Sequence, residues 1–160
     1  MITLTFDLDW APEFVIRDTI NLLDVHNVTN VTFYVTHKSH VLKKHSLKKN
    51  YEIGLHPTKD GNWSKAYIEE FYTEMSDFYE KKIEKNRFHR LEYAYRDLLM
   101  LSRLGLKSDS SYLAHMQPIE FENYISESFT QTPYHFEDGT AENRGDNHEK
   151  IINFLKTATN

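Results

Sequence analysis

The hydrophobic and polar positions of the chain follow two alternating periods. Short runs of β-branched and aromatic residues predict buried strands, and longer segments with an apolar residue at every third or fourth position predict amphipathic helices. Strands are predicted at residues 2–6, 30–36 and 51–55, with strand tips or extended segments at 87–89, 106–109 and 133–136. Helices are predicted at residues 13–26, 41–49, 64–85, 93–104 and 147–156.

The alternation of strands and helices indicates parallel βαβ units, because parallel neighbours need a long crossover connection. No linker, internal repeat or low-complexity tract interrupts the pattern, so we expect one domain over residues 1–160. A compact domain of this length buries roughly 70% of the surface of its unfolded chain. With 39% hydrophobic and 14% aromatic residues, the chain is too apolar to be disordered. The sequence therefore predicts one α/β domain with about six parallel strands.

The charge balance narrows the choice of partners and compartment. The net charge is −5 and the sequence pI is near 6.0, so no global positive field attracts nucleic acid or anionic lipid. The first residues contain neither a basic region nor an apolar stretch of signal length. No later run approaches ~18 consecutive apolar residues. We expect a cytoplasmic protein with no nucleic-acid partner and no membrane span.

Polar side chains with metal-binding or acid–base chemistry recur at the ends of the predicted strands. A single Asp or His at a strand end is usually a cap or a surface group. Here several successive strands end this way, and the carboxyl ends of parallel strands meet at one face of an α/β fold. The candidates are Asp7, Asp9, His37, His56, Arg87, His89 and Asp109, with His135, Glu137 and Asp138 as weaker additions.

Such a group of side chains suits metal-assisted hydrolysis, in which a divalent ion acidifies a bound water and polarises a carbonyl oxygen. The chain contains no Cys, so the ligands must be His, Asp or Glu, and these favour Zn²⁺ or a similar metal. An unligated carboxylate can accept the proton of the attacking water, and an imidazole can protonate the leaving amine. Arg87 can orient the carboxylate base through a paired hydrogen bond.

Three strand motifs resemble the opening motifs of the polysaccharide deacetylases, the NodB homology group. They are Thr-Phe-Asp-Leu-Asp at residues 5–9, Val-Thr-Phe-Tyr-Val at 31–35 and Tyr-Glu-Ile-Gly-Leu-His at 51–56, and residues 87–91 match a later Arg-containing segment. The resemblance covers residues 2–113. It is strongest to an atypical branch with Phe-Asp-x-Asp-Trp-Ala-Pro, whose members often lie among genes for surface polysaccharides.

The resemblance implies a shortened, distorted (β/α) barrel. Because fewer strands are predicted here than the family barrel has, we expect an open edge that either a second copy of the chain or a further terminal segment covers.

The resemblance also implies roles for individual residues. Asp7 is the expected catalytic base, and His56 is a metal ligand. The acid that follows the base directly in the family is displaced here to Asp9, the second ligand. The second His of the family's His-x-x-x-His motif falls at Asp60, which is the expected third ligand, with His37 and His89 as alternatives.

The remaining site residues follow from the strand ends. No His closes the last strand-like run, residues 151–155, so His89 or His135 is expected to replace the family's general acid, with Arg87 as the third catalytic residue. Trp10 follows the acid pair directly and either packs beneath the pocket or stacks on a sugar ring. The further expected substrate-binding residues are His37, Glu137 and Asp138.

The function that these motifs imply is the metal-dependent removal of an acetyl group from an N-acetylated sugar or surface polysaccharide, with Zn²⁺ as the favoured ion. A noncatalytic relative that binds sugars through Trp10, Trp63 and tyrosines is the alternative. A third interpretation is that the chain is a flavodoxin-like regulatory domain. Against it, the chain has only five Gly and no Gly-rich phosphate loop.

Overall fold

The fold is that of a computed structural model, which describes residues 3–49, 51–58, 64–117 and 123–158. This part of the chain contains seven strands: β1 Leu4–Asp7, β2 Val31–Val35, β3 Glu52–Leu55, β4 Lys85–Asn86, β5 Ser108–Leu113, β6 Asn123–Ser126 and β7 Phe129–Tyr134. It also contains six α-helices: α1 Glu13–Val25, α2 His40–Lys49, α3 Lys65–Tyr79, α4 Tyr95–Arg103, α5 Asp138–Asn143 and α6 His148–Ala158. A short 3₁₀ turn spans His89–Leu91.

The seven strands form one sheet in the order β1-β2-β3-β4-β5-β7-β6. All neighbouring pairs are parallel except β6 and β7, which pair antiparallel. The prediction of an α/β fold with about six parallel strands is therefore confirmed. Within the ranges given above, β1 and β6 are the two edges and do not pair with each other, so the sheet is an open, distorted barrel.

The register of the first strands places their carboxyl ends at one level. Asp7 pairs with Tyr34, and Tyr34 pairs with Gly54. All five residues of β2 are buried, which is the pattern of a parallel strand covered on both faces. Polar side chains that follow these strands consequently converge at one edge of the sheet.

The core joins the central strands to the long helices. It consists of aliphatic and aromatic side chains that include Ile16, Ile20, Phe33, Val35, Leu55, Ile68, Tyr79 and Leu101. Among the helices described, none combines the length with the apolar character that crossing a bilayer requires.

Helix α3 is shorter than its predicted range of residues 64–85. It ends before Glu80, which adopts a left-handed conformation with φ 53° and ψ 37°. Just beyond this cap, the Lys81 ammonium donates hydrogen bonds to the backbone oxygens of Ser46 and Tyr51, both at 2.9 Å. The Glu and Lys pattern of this segment is compatible with a helix, and the tertiary contacts of Lys81 override it.

Further differences from the predicted elements lie in the second half of the chain. Strand β4 precedes the predicted strand at residues 87–89, and His89 begins the 3₁₀ turn instead. The hairpin partner β6 and the helix α5 have no strong periodicity and were not predicted. The helix predicted at residues 147–156 is confirmed as α6, and the strand-like run at residues 151–155 lies inside it, because its apolar positions also satisfy a helical period.

Candidate functional site

The turn after β1 has an unusual backbone conformation. Asp9 and Trp10 both have left-handed φ values, 39° and 60°, which are uncommon outside glycine. The Trp10 N–H donates to Thr36 Oγ1 at 3.0 Å, and this bond ties the turn to the end of β2. Backbone strain of this kind collects at functional sites, where surrounding contacts maintain it. In this turn the Asp9 carboxylate comes to lie against two imidazoles.

Backbone hydrogen bonds extend the parallel ladder beyond the ends of β3 and β4. The His56 N–H donates to the last carbonyl of β2, and the Arg87 N–H donates to the last carbonyl of β3, both at 2.9 Å. The His89 N–H donates to the carbonyl of Pro57 at 3.1 Å. These three side chains are therefore placed by the sheet itself and not by a free loop.

Asp9, His56 and His89 form a cluster with the geometry of a metal site. Asp9 Oδ1 lies 2.9 Å from His89 Nδ1 and 3.2 Å from His56 Nε2, and the two ring nitrogens are 3.4 Å apart. One ligand atom from each residue lies within 4.8 Å of the others. Two imidazoles and one carboxylate match the three protein ligands of many catalytic zinc sites. The donor set therefore fits a divalent ion with one position left for water or substrate.

The ring of His56 is held in the tautomer that a metal ligand needs. Its Nδ1 lies 2.7 Å from the backbone oxygen of Arg87 and must carry the proton to donate to this carbonyl, so the lone pair is on Nε2, the atom that faces Asp9. Burial lowers the pKa of His56, which keeps the imidazole neutral. A neutral imidazole with a free lone pair is the form that binds a metal.

Asp7 lies beside this cluster and is bound by Arg87. Arg87 Nη1 donates to Asp7 Oδ1 at 2.9 Å and to Thr5 Oγ1 at 3.0 Å, both of which belong to β1. The Arg87 side chain is 4% exposed, and its Nε and Nη2 donate to the backbone and side-chain oxygens of Ser110. The second carboxylate oxygen of Asp7 lies 4.0 Å from His56 Nε2. One oxygen of Asp7 is thus fixed, and the other faces the cluster.

Two tyrosine rings pack against the guanidinium of Arg87. The Arg87 guanidinium carbon lies 4.4 Å from the ring centroid of Tyr34 and 4.2 Å from that of Tyr134. Burial raises the pKa of both phenols to about 12, and Arg87 partly opposes this rise at each of them. A Cβ at Gly54 would lie 2.5 Å from two atoms of the Tyr34 ring, so the absence of a side chain at Gly54 makes room for that ring.

The other sequence-predicted residues have different surroundings. Trp10 is 53% exposed, and its ring meets His89 edge-on with 5.6 Å between centroids. His37 Nδ1 lies 2.9 Å from Thr36 Oγ1, the hydroxyl that also accepts from Trp10, so His37 is next to the β1 turn. The backbone oxygen of His135 accepts from Met116 N–H at 2.7 Å.

The weaker candidates make local contacts. Glu137 and Asp138 lie at the start of α5, where Glu137 accepts from Thr140 Oγ1 and Asp138 accepts from the N–H of Gly139. Both remain predictions as substrate-binding residues. Asp60, the expected third ligand, lies outside the described residues.

Asp109 is part of a buried polar row and is fully buried. In the sheet register Asn86 pairs with Asp109, which pairs with Gln131, and both amides donate to the Asp109 carboxylate, at 2.7 and 2.9 Å. Ser111 adds bonds from its N–H and hydroxyl at 2.9 and 2.8 Å, and the same hydroxyl accepts from Phe88 N–H. Burial raises the pKa of Asp109. This network supports the segment that carries Arg87 and His89.

Sequence reasoning missed four partners of Arg87, namely Thr5, Tyr34, Ser110 and Tyr134. Hydroxyl and phenol side chains in strands are usually structural, so their residue types carry no signal. The available signal was position, because Tyr34 and Tyr134 lie at or next to the carboxyl ends of their strands.

Comparisons with known proteins agree on one family. The family model described as WbmS-like polysaccharide deacetylase matches residues 4–159. No protein of curated function matches the sequence significantly. A candidate polysaccharide deacetylase involved in O-antigen biosynthesis from Bordetella bronchiseptica has a similar structure, with a TM-score of 0.78 and 23% identity. The match covers 91% of this chain and 62% of that one.

A second similar structure is that of a candidate polysaccharide deacetylase from Mycobacterium smegmatis. Its TM-score is 0.59 and its identity 15%, and the match covers 85% of this chain and 58% of that one. At these identities the likeness demonstrates the fold. The chain spans less than two thirds of the length of both proteins.

Proposed function

The chain belongs to the WbmS-like polysaccharide deacetylase family, and we propose that it is a metal-dependent deacetylase of N-acetylated sugars in a surface polysaccharide. The observation that carries this proposal is the convergence of Asp9, His56 and His89 beside the Arg87-bound Asp7. The similar Bordetella protein is described as involved in O-antigen biosynthesis, which supports a surface polysaccharide as substrate.

The proposed ligands are Asp9, His56 and His89. His89 takes the place that the family motif would give to position 60, because its Nδ1 is already 2.9 Å from Asp9 Oδ1. A divalent ion held there, with Zn²⁺ favoured by the donors, supplies Lewis acidity toward an acetyl carbonyl and a nucleophilic water. As a metal ligand, His89 is not available as the proton donor to the leaving amine.

Asp7 is the proposed general base. Its Oδ1 is bound by Arg87, which leaves Oδ2, the oxygen on the side of His56, to accept a proton from the attacking water. As the carbon–nitrogen bond of the amide breaks, the departing nitrogen needs a proton, and we assign its supply to protonated Asp7. The products are acetate and the free amino sugar, so water and protons balance.

Trp10 is the proposed sugar platform. Its indole is half exposed and stands next to the ligand His89, so a pyranose ring that stacks on it would present its acetamido group to the cluster. His37, which is next to the same turn through Thr36, is the proposed donor to a sugar hydroxyl.

Metal binding tests the ligand assignment. Purified protein is stripped with a chelator and titrated with Zn²⁺ in a calorimeter. We expect one ion per chain, and we expect Asp9→Ala, His56→Ala and His89→Ala each to weaken binding by at least tenfold, in line with the effect of removing even outer-shell partners. The matched control His26→Ala changes an exposed imidazole at the C-cap of α1 and should bind like the wild type. Asp60→Ala should also bind like the wild type if His89 is the third ligand.

Acetate release tests the reaction. The probes are N,N′-diacetylchitobiose and longer N-acetylglucosamine oligomers, with acetate measured enzymatically. We expect release by the Zn²⁺-loaded protein and a loss of at least 100-fold in Asp7→Asn, which keeps the shape of the side chain but not the base. Release at the wild-type rate after chelation, or in all three ligand variants, would disprove the proposal. Sugar binding that survives metal removal, without release, would favour the noncatalytic alternative.

A further inference from the structure

We propose that Tyr134 is a positioning residue of this site: with Tyr34 it clamps the Arg87 guanidinium and thereby fixes the orientation of the Asp7 carboxylate. The inference rests on the proposed function, because it assigns Tyr134 a role in the work of the proposed base. Neither the family motifs nor the metal cluster includes Tyr134.

The guanidinium of Arg87 is restrained by hydrogen bonds and by two aromatic rings. Its Nε, Nη1 and Nη2 atoms donate to oxygens of Ser110, Asp7 and Thr5. The guanidinium carbon also lies over the rings of Tyr34 and Tyr134, 4.4 and 4.2 Å from their centroids. Each ring attracts the cation and restricts its movement beyond what the hydrogen bonds impose. The two rings therefore make the hydrogen-bonded pair of Arg87 and Asp7 more rigid.

The contact between Tyr134 and Arg87 is one of several that connect distant strands of the sheet. Arg87 follows β4, yet it contacts residues of β1, β2, β5 and β7 through its hydrogen bonds and its two rings. In a flat sheet with a strand spacing of about 4.8 Å, β1 lies roughly 14 Å from β4, which exceeds the reach of one arginine side chain. The contact to Thr5 and Asp7 therefore requires the sheet to curl, and the Tyr134 ring brings β7 to the same guanidinium.

Tyr34 and Tyr134 differ in how deeply they are buried, and therefore in how much a substitution disturbs the fold. Tyr34 is 4% exposed and belongs to the core, so its loss would disturb folding. Tyr134 is the last residue of β7 and is partly exposed at the mouth of the sheet. A change at Tyr134 can therefore remove one ring contact from the guanidinium while leaving the core in place.

Nuclear magnetic resonance tests the clamp without any substrate. The Arg87 Nε–H signal is identified by its absence in Arg87→Lys. We expect it to be shifted upfield by the two rings and to exchange slowly with water in the wild type and in Tyr134→Phe. In Tyr134→Leu, or in Tyr134→Met if the leucine variant does not fold, we expect it to move toward the position of free arginine. An unchanged signal in the ringless variant would overturn the clamp.

Steady-state kinetics test whether the clamp affects the proposed base, Asp7. With Zn²⁺-loaded protein and N,N′-diacetylchitobiose, we expect Tyr134→Leu to lower kcat by about tenfold or more with little change in KM, since misplacing a catalytic group slows the chemical step. Tyr134→Phe should retain activity within about twofold, and Tyr95→Leu, at an exposed tyrosine of α4, is the matched control.

Two outcomes distinguish the inference from the proposed function. An equal loss in Tyr134→Phe and Tyr134→Leu would overturn the clamp in favour of a role for the phenol hydroxyl. A wild-type protein that releases no acetate would count against the proposed function alone, and the resonance experiment would still decide whether Tyr134 orders Arg87.

Discussion

Gly54 is the position where a single methyl group should disturb the site most clearly. It lies in β3 and is paired with Tyr34, whose ring passes directly over it. A Cβ added at Gly54 would lie 2.5 Å from both Cδ1 and Cε1 of this ring and 3.4 Å from the Lys85 carbonyl oxygen. The ring has little freedom to move, because it is buried and stacked on the Arg87 guanidinium. Gly54→Ala should therefore displace Tyr34 and, through it, Arg87.

The expected change in the free energy of unfolding of Gly54→Ala follows from two opposing effects. Overpacking a buried position costs about 1–3 kcal/mol, because side chains must leave their preferred rotamers. Replacing a glycine inside a strand recovers roughly 0.5–1 kcal/mol of conformational entropy. We expect a net loss of about 1–2 kcal/mol in the free energy of unfolding. For a domain of this size each kcal/mol corresponds to roughly 2–4 °C, so Tm should fall by about 2–8 °C.

The assay compares Gly54→Ala with Gly139→Ala, a matched control for the added methyl group. A Cβ at Gly139, near the start of α5, would meet no atom within 4 Å. Gly139→Ala should therefore be neutral or slightly stabilising. Thermal and urea unfolding give the stability, and acetate release from N,N′-diacetylchitobiose gives the activity, which we expect to fall only in Gly54→Ala. If both variants unfold at the same midpoint as the wild type, the argument that Gly54 makes room for Tyr34 is wrong.

Two further predictions concern alkaline stability and the polar row behind the site. Because burial raises the pKa of Tyr34 and Tyr134 to about 12, the unfolded chain, whose phenols ionise near pH 10, loses these protons first. The contribution of these two phenols to the free energy of unfolding should be constant below about pH 10 and fall as the pH rises toward 12. Phe variants at either position should flatten this fall, which urea unfolding and phenolate absorbance can measure; an unchanged fall would contradict the assignment. Ser111→Ala removes a buried hydroxyl that donates to Asp109 and accepts from Phe88, so we expect a loss of about 1–3 kcal/mol in chemical unfolding. A loss below about 0.5 kcal/mol would show that the hydroxyl is not needed there.

The local periodicity of the sequence was sufficient to predict an α/β domain of parallel strands, whereas the distorted barrel was implied by the resemblance to a family. Period-two and helical patterns are properties of short segments, and the first three strands and the intervening helices were predicted within a few residues of their bounds. The ends of parallel strands then indicated where polar groups would meet, and the structure brings Asp7, Asp9, His56, Arg87 and His89 together. Both predictions depend only on which residues follow which strand.

The tertiary structure decided which residues that are distant in the sequence lie close together in space. The left-handed turn at Asp9 and the contact of His89 with it select His89 as the third member of the cluster, although no spacing rule identifies it. Asp109 looked like a site residue because it ends an extended segment, but the register pairs it with two amides and buries it. Tyr134 is more than 40 residues from Arg87 in the chain and meets it only because the sheet curls. Sequence pattern specifies local conformation, whereas register, curl and backbone strain arise from the packing of the whole domain.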